Sequence, residues 1–297
     1  MFKNLSDYFY GVLFIFLSAF MYATMPILAK VAYSLGLTPG IILFLRYFFA
    51  FIFIASYLIV VKREPVLCKS FWVVSQGLLF VLGSLFYFFS LKYIPAGVAS
   101  VIFFIYPVLV AAFSLIIFKE KPSSRLLLGL FLAVLGIILI SGVSQGLASI
   151  SIRGLLLALA SSLNYSAYVL IGQKNVASVS TLSLTATISA VGLLVFSIYN
   201  YQNLSFITSL SGPQLIIGLI MGLFNTILAA IFFLKGLKKI GASRAALISS
   251  LEPVITIVVA FLVLGEVLGV IELIGSFLVI ISMFLAIDSQ VEKEIAN

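Results

Sequence analysis

Long uninterrupted runs of apolar residues restrict this 297-residue chain to a small set of folds. Because a helix rises about 1.5 Å per residue, about 20 apolar residues are needed to cross a hydrocarbon core about 30 Å thick. Runs of about this length span 10–33, 39–61, 70–91, 95–118, 124–142, 153–173, 180–200, 213–235, 242–264 and 268–287. The sequence therefore predicts an all-α polytopic membrane protein with ten transmembrane helices.

Composition and periodicity argue against other classes. Only 9% of the residues are charged, against about 25% in an average soluble domain. Strands of membrane barrels alternate apolar and polar residues, whereas these runs are apolar on nearly every side. The first run has no small-residue cleavage site after a short apolar core, so we expect it to be a retained helix rather than a signal peptide.

Lysine and arginine are concentrated in alternate connections. This placement explains the net charge of +8 through the excess of positive residues in cytoplasmic loops, without a nucleic-acid partner. The connections on the side of the N-terminus hold 13 of the 17 basic residues, and the opposite connections hold only Lys92 and Arg153. We therefore expect a multi-pass protein of the cell inner membrane, with both termini and the loop around Cys68 in the cytoplasm.

Several kinds of chemistry are excluded by residue content. Cys68 is the only cysteine and the chain has no histidine, which excludes an intrachain disulfide, His-bearing metal sites and Ser/His or Cys/His catalysis. Neither GxxxxGK[ST] nor GxGxxG is present, so no nucleotide is indicated as an energy source or cofactor. We predict no enzymatic activity, no cofactor and no metal.

The second half of the chain repeats the first. IPAGVASVIFFIYPVLV recurs as IGASRAALISSLEPVIT, which places Pro253 and Pro107 146 positions apart. The first and sixth runs match at a shift of 143, which pairs Tyr22 with Tyr165. We assign five helices each to residues 1–146 and 147–297. An odd number of spans inverts the second repeat in the membrane, and inverted repeats suit alternating access, although duplication kept for packing alone is the other interpretation.

These features resemble the drug/metabolite transporter superfamily, specifically the EamA-type transporters. The resemblance covers about residues 10–287 and rests on the 5+5 plan, on Arg46 within FLRYFFAF, and on LEPVITIVVAFLVLGE followed by Gly275. It implies transport of small metabolites, often export, without ATP. The first half departs from the second because Tyr106 stands where Glu252 would be. Any function of Glu252 is therefore asymmetric.

Glu252 is the sharpest candidate for a functional residue. It lies ten residues into its run, which corresponds to a depth of roughly 15 Å. A carboxylate at that depth is costly unless it faces a cavity or a partner, so it is either a proton carrier or a structural group bonded to neighbouring helices. Pro253 removes a backbone N–H and frees the carbonyl of Ser249 beside it. Pro107 and Pro26 predict similar helix breaks, and matched interruptions point to a midplane binding site.

Arg46 lies roughly 10 Å below the outer end of the second run, where an arginine can snorkel to the surface or point inward. Substrate contact and helix packing are both open for it, whereas Lys30 is expected to snorkel. Other polar and aromatic residues at mid-depth either line a cavity or bond across helices. They are Tyr22, Gln76, Tyr87, Asn164, Tyr165, Tyr168 and Asn225.

The sequence thus favours a secondary active transporter, an exporter or exchanger, of small organic metabolites such as amino acids. It would work by alternating access, with Glu252 as a candidate for proton coupling. A passive channel or facilitator and a membrane-embedded lipid-handling protein are the alternatives. With so few cations in its spans, a polyanionic substrate is disfavoured. The expected partners are a small-molecule substrate and the lipid bilayer, and both monomer and oligomer are open.

Overall fold

A computed structural model describes residues 2–90, 93–94, 96–118, 123–140, 151–203, 209–264 and 269–295. Within these ranges all regular structure is helical. The α-helices are α1 (Phe2–Ala23), α2 (Met25–Ser34), α3 (Pro39–Tyr57), α4 (Phe71–Ser90), α5 (Ala96–Phe103), α6 (Tyr106–Ile117), α7 (Ser124–Ile140), α8 (Ile152–Ser178), α9 (Thr181–Tyr199), α10 (Gly212–Gly222), α11 (Ala229–Ile240), α12 (Ala242–Ser249), α13 (Glu252–Leu264) and α14 (Val270–Ile295). Two π-helical segments, Leu58–Lys62 and Leu223–Leu228, and a 3-10 turn, Tyr201–Asn203, complete the set.

Seven helical stretches in these ranges are long and apolar enough to cross a membrane. They are Ser6–Ser34, Pro39–Lys62, Phe71–Ser90, Ile152–Ser178, Thr181–Tyr199, Gly212–Ile240 and Ala242–Val263. Three further apolar helices, Val98–Ser114, Ser124–Ile140 and Val270–Leu285, are shorter. The all-α polytopic class is thus confirmed. The shorter helices coincide with the predicted spans 95–118, 124–142 and 268–287, each of which includes or adjoins residues outside the described ranges.

Three of the predicted spans are interrupted next to a proline. One residue, Thr24, separates α1 from α2, and Pro26 lies in the first turn of α2. Helix α6 follows α5 after two residues and has Pro107 in its first turn. Helix α13 follows α12 after two residues and has Pro253 as its second residue. A proline in a helix interior loses one hydrogen bond and clashes with the carbonyl four residues earlier, so each chain segment restarts as a new helix.

Helices of the two halves pack against each other through equivalent contacts. A Cβ added to Gly11 of α1 would lie 2.5 Å from the side chain of Ile240, and one added to Gly154 of α8 would lie 2.6 Å from that of Ile94. Gly11 and Gly154 are 143 positions apart, and Ile94 and Ile240 are 146 apart. These are the two shifts of the sequence repeat. The first helix of each half therefore packs on the third helical stretch of the other half in the same way.

Helices α7 and α14 show the same relation within a single interface. A Cβ added to either Gly136 or Gly275 would lie 2.6 Å from the carbonyl oxygen of the other glycine. One added to Gly129 would lie 3.0 Å from the carbonyl oxygen of Ser282. Gly129 and Gly275 are 146 positions apart, and so are Gly136 and Ser282. The interface is therefore reciprocal, and the small residues let two backbones approach closely.

Candidate functional site

Arg46 of α3 is buried in the helix bundle, with 1% of its surface exposed. Its Nε donates to the hydroxyl of Thr226 at 2.7 Å, and its Nη2 donates to the backbone carbonyl of Asn225 at 3.0 Å. Its Nη1 donates to the sulfur of Met25 at 3.1 Å. The side chain therefore points inward to groups on two other helical stretches, rather than towards a membrane surface.

The charge of Arg46 has no anionic partner in the part of the chain that the structure describes. A thioether is a weak acceptor, and N–H groups on both terminal nitrogens are left over after the three contacts. Taking an ion out of water costs several kcal/mol unless a counter-charge and hydrogen bonds replace the water. Arg46 is therefore suited to hold a carboxylate in a bidentate pair.

Asn225 connects Arg46 to the break between α1 and α2. Its Nδ2 donates to the backbone carbonyl of Met21 and, at 3.0 Å, to the hydroxyl of Thr24. Its Oδ1 is buried and has no hydrogen-bond donor among the described residues. An unpaired buried acceptor costs free energy. Asn225 therefore offers a free acceptor, its Oδ1, while its backbone carbonyl accepts a hydrogen bond from Arg46.

Glu252 is the first residue of α13 and is half-buried. Its backbone carbonyl accepts a hydrogen bond from Thr256 at 2.9 Å, but no hydrogen bond or ion pair to its carboxylate occurs within the described residues. The carboxylate interacts electrostatically with Tyr22 and Tyr106. Tyr22 also interacts with Arg46, and its buried hydroxyl has no hydrogen-bond partner in the described ranges. Tyr22 thus lies within electrostatic range of both charged groups.

Aromatic rings connect the surroundings of Glu252 with those of Arg46. The ring centroids of Tyr106 and Tyr165 are 4.7 Å apart, and those of Tyr165 and Tyr168 are 5.3 Å apart. Phe80 follows at 4.8 Å from Tyr168, and the guanidinium of Arg46 lies 6.0 Å from the Phe80 centroid. These rings form an apolar wall with polar tips, which suits an amphipathic solute.

The sequence matches the model of the EamA-like transporter family twice, over residues 9–142 and over residues 152–287. The chain belongs to the EamA-like transporter family. The resemblance expected from the motifs is thereby confirmed, and membership identifies the chain as a membrane transporter rather than an enzyme.

Relatives of this chain carry transporter names. The uncharacterized transporter YyaM of Bacillus subtilis (strain 168) is 30% identical over 206 residues, which are 67% of each chain. The uncharacterized transporter YcbK of the same organism is 28% identical over 279 residues, which are 89% of this chain and 88% of YcbK. A crystal structure with 18% sequence identity aligns with a TM-score of 0.80 over 93% of this chain and 97% of the other. This last likeness shows a shared fold.

In this EamA-like transporter the structure brings some of the predicted residues together and not others. Ser249 is buried on α12 near the hydroxyl of Tyr106, but its own hydroxyl has no hydrogen-bond partner among the described residues. Gln76 instead accepts a hydrogen bond from Asn175 at 2.8 Å near the beginning of α4, and Asn164 donates to its own helix at the carbonyl of Ala160. Gln76 and Asn164 therefore serve helix contacts in this structure. The side chain of Lys30 lies outside the described part of the chain, as do Lys92, Glu120 and Glu266.

Sequence reasoning missed Thr226, Met25 and Phe80. Thr226 directly follows the predicted Asn225 and is a polar residue in an apolar run, so its position was a usable signal. Met25 and Phe80 resemble every other apolar residue in their runs. Their contacts with Arg46 depend on how the helices pack, which residue type does not indicate.

Proposed function

We propose that this chain is a secondary active transporter, an exporter or exchanger, of small organic metabolites such as amino acids. It works by alternating access between two inverted repeats of five transmembrane helices each, residues 1–146 and 147–297. The two family matches and the equivalent contacts between halves support this division. Two similar bundles that rock around a central site are a common architecture among secondary transporters.

The observation that carries this proposal is the buried guanidinium of Arg46, which has no carboxylate partner among the described residues. In the proposed complex, the substrate carboxylate pairs with Arg46. An N–H group of the substrate donates to the free Oδ1 of Asn225, and the apolar part of the substrate packs on the rings of Tyr165 and Tyr168. A singly charged carboxylate matches this single cation, which is why a polyanion is disfavoured.

Glu252 is the proposed coupling group. Its carboxylate interacts with tyrosines in place of a basic residue, and protonation removes the cost of keeping a charge inside the membrane. We propose that Glu252 takes up a proton on one side of the membrane and releases it on the other. Alternate exposure of the central site to the two sides of the membrane then couples substrate transport to the proton gradient, or exchanges one substrate for another.

The proposed orientation places both termini in the cytoplasm, with the protein in the cell inner membrane. Lys62, Arg63 and Lys69 are exposed around Cys68, and Lys239 pairs with Asp7 close to the N-terminus. A membrane-impermeant maleimide should label Cys68 only after intact cells are permeabilised. Labelling of Cys68 without permeabilisation would contradict this orientation.

The transport proposal is tested by counterflow in liposomes. Purified protein is reconstituted into liposomes loaded with a mixture of all proteinogenic amino acids, and a trace of the same mixture, isotopically labelled, is added outside. Mass spectrometry should show transient accumulation of at least one labelled component above its equilibrium level. Equilibration without accumulation would indicate a channel, and no protein-dependent entry would overturn amino acids as the substrate class.

A further inference from the structure

The π-helical segment Leu223–Leu228 corresponds to one extra residue in the second repeat. Gly77 of α4 packs on α9, and Gly222 of α10 packs on α3, so the two glycines occupy equivalent places in the two halves. They are 145 positions apart, whereas Ile94, which follows α4, and Ile240, the last residue of α11, are 146 apart. Helix α4 is regular throughout. The added residue therefore falls between α10 and α11, where the π segment lies, as expected of a single-turn bulge.

The π segment releases a backbone carbonyl that then binds Arg46. In a regular α-helix the N–H of Ala229 would donate to the carbonyl of Asn225, four residues earlier. Here the N–H of Ala229 is directed to the carbonyls of Phe224 and Thr226 instead. The carbonyl of Asn225 accepts the Nη2 hydrogen bond of Arg46 at 3.0 Å. The insertion thus creates an acceptor that the equivalent, regular helix α4 lacks.

Thr226 in the same segment has its hydroxyl turned towards Arg46. The hydroxyl has a single hydrogen, which it donates to the carbonyl of Met221 at 3.1 Å. Its remaining lone pairs face Nε of Arg46 at 2.7 Å. Thr226 is 2% exposed. Its hydroxyl is therefore an acceptor of fixed direction for the guanidinium.

We propose that the π segment positions Arg46 for substrate binding, with Thr226 and the Asn225 carbonyl as the positioning groups. They hold one edge of the guanidinium and leave N–H donors on both terminal nitrogens for the carboxylate. Thr226 is a positioning residue that acts through Arg46 and does not itself bind the substrate. The inference rests on the proposed substrate-binding role of Arg46, and its test separates the two.

The first measurement is concentration-dependent counterflow with the labelled amino-acid mixture. Thr226→Val keeps the shape of the side chain and removes the acceptor, so the apparent KM of the transported component should rise about tenfold with Vmax changed less than about twofold. Thr226→Ser should restore the wild-type KM. Thr185→Val is the matched control, because Thr185 is equally buried and its hydroxyl bonds to the carbonyl of Thr181 in its own helix. An unchanged KM in Thr226→Val would overturn the inference.

The second measurement needs no substrate. Thermal unfolding midpoints in detergent are compared for the wild type, Thr226→Val, Arg46→Gln and the double variant. Thr226→Val should lower the midpoint more in the wild type than in the Arg46→Gln background, because only the wild type also loses the contact with Arg46 in addition to the hydrogen bond to the Met221 carbonyl. Additive shifts would overturn the positioning role without touching the proposed function. Conversely, wild-type counterflow by Arg46→Gln would overturn the binding role of Arg46, while the unfolding comparison still tests its contact with Thr226.

Discussion

Gly222 packs on α3 beside the backbone of Arg46, and Gly77 packs on α9 beside the backbone of Ile188. The two helix pairs are equivalent, yet one carries a buried cation and the other a buried aliphatic residue. The second pair of central positions is also unequal, because Glu252 begins α13 whereas Tyr106 begins α6. Each repeat thus contributes one charged group to a scaffold whose packing is shared. In the proposed mechanism, rocking would therefore be a property of the shared scaffold, and solute and proton chemistry would depend on the positions that differ.

The largest expected effect comes from removing the ionisable group at Glu252, the second position at which the repeats differ. Glu252→Gln keeps the size of the side chain but cannot take up or release a proton, so uptake driven by a pH gradient should be lost completely. Exchange of substrate for substrate should continue, because it needs no net proton transfer. Both are measured in liposomes with the labelled amino-acid mixture.

Tyr106→Phe is the matched control for Glu252→Gln, because it changes the equivalent position in the first repeat. It removes a hydroxyl that donates to the carbonyl of Ala246 at 3.5 Å and lies near Ser249 and Glu252, but it leaves the Glu252 carboxylate in place. Gradient-driven uptake by Tyr106→Phe should stay close to that of the wild type. If uptake by Glu252→Gln also matches the wild type, Glu252 is a structural residue and not the coupling group.

The next effect concerns Arg46. Arg46→Gln removes the charge that would pair with a substrate carboxylate, and losing one partner of a buried charged pair costs about 2–5 kcal/mol, or roughly 30-fold or more in apparent affinity. Counterflow at increasing amino-acid concentration measures this change. Ile188→Val, at the equivalent place in the second repeat, should leave the affinity unchanged. A normal affinity in Arg46→Gln would make Arg46 a helix-packing residue.

The shared scaffold makes a prediction of its own. Gly136→Ala and Gly275→Ala each place a methyl group against the carbonyl of the opposite glycine, and overpacking of this kind costs about 1–3 kcal/mol of stability. Because the contact is reciprocal, the two variants should lower the unfolding midpoint in detergent by similar amounts. Gly212→Ala, with no atom within 4 Å of the added Cβ, is the control. Clearly unequal shifts for the two variants would contradict a symmetric interface.

Much of this scaffold could be predicted from the sequence, since apolar runs and prolines act locally. A run of apolar residues needs only its own length to predict a membrane helix, and Pro26, Pro107 and Pro253 each lie in the first turn of a new helix. The constant shift between repeats likewise anticipates that Gly129 and Gly275 occupy matching places. Membrane class and family therefore followed from the sequence.

The site was predicted less completely, because it depends on contacts between distant segments. From its depth in the membrane, the Arg46 side chain could either snorkel to the surface or point inward. Only its hydrogen bonds to Asn225 and Thr226, about 180 positions away, show that it points inward. The one-residue insertion that creates the π segment has no signature in residue type. For Gln76 the sequence left cavity lining and a bond across helices both open, and its hydrogen-bond partner Asn175, 99 positions away, could not be identified from the sequence.

The smallest expected effect separates Tyr22 from its repeat partner Tyr165. Both interact with Glu252, but only Tyr22 also interacts with Arg46. The buried hydroxyl of Tyr22 has no partner among the described residues, so it is free to bond a substrate carboxylate held by Arg46. Losing one such bond costs about 1 kcal/mol, so Tyr22→Phe should raise the apparent KM in counterflow about fivefold. Tyr165→Phe should change it less than about twofold, since the substitution keeps the ring that packs against Tyr106 and Tyr168. Equal effects of the two substitutions would mean that the tyrosines serve the two repeats alike and that the asymmetry is confined to the charged residues.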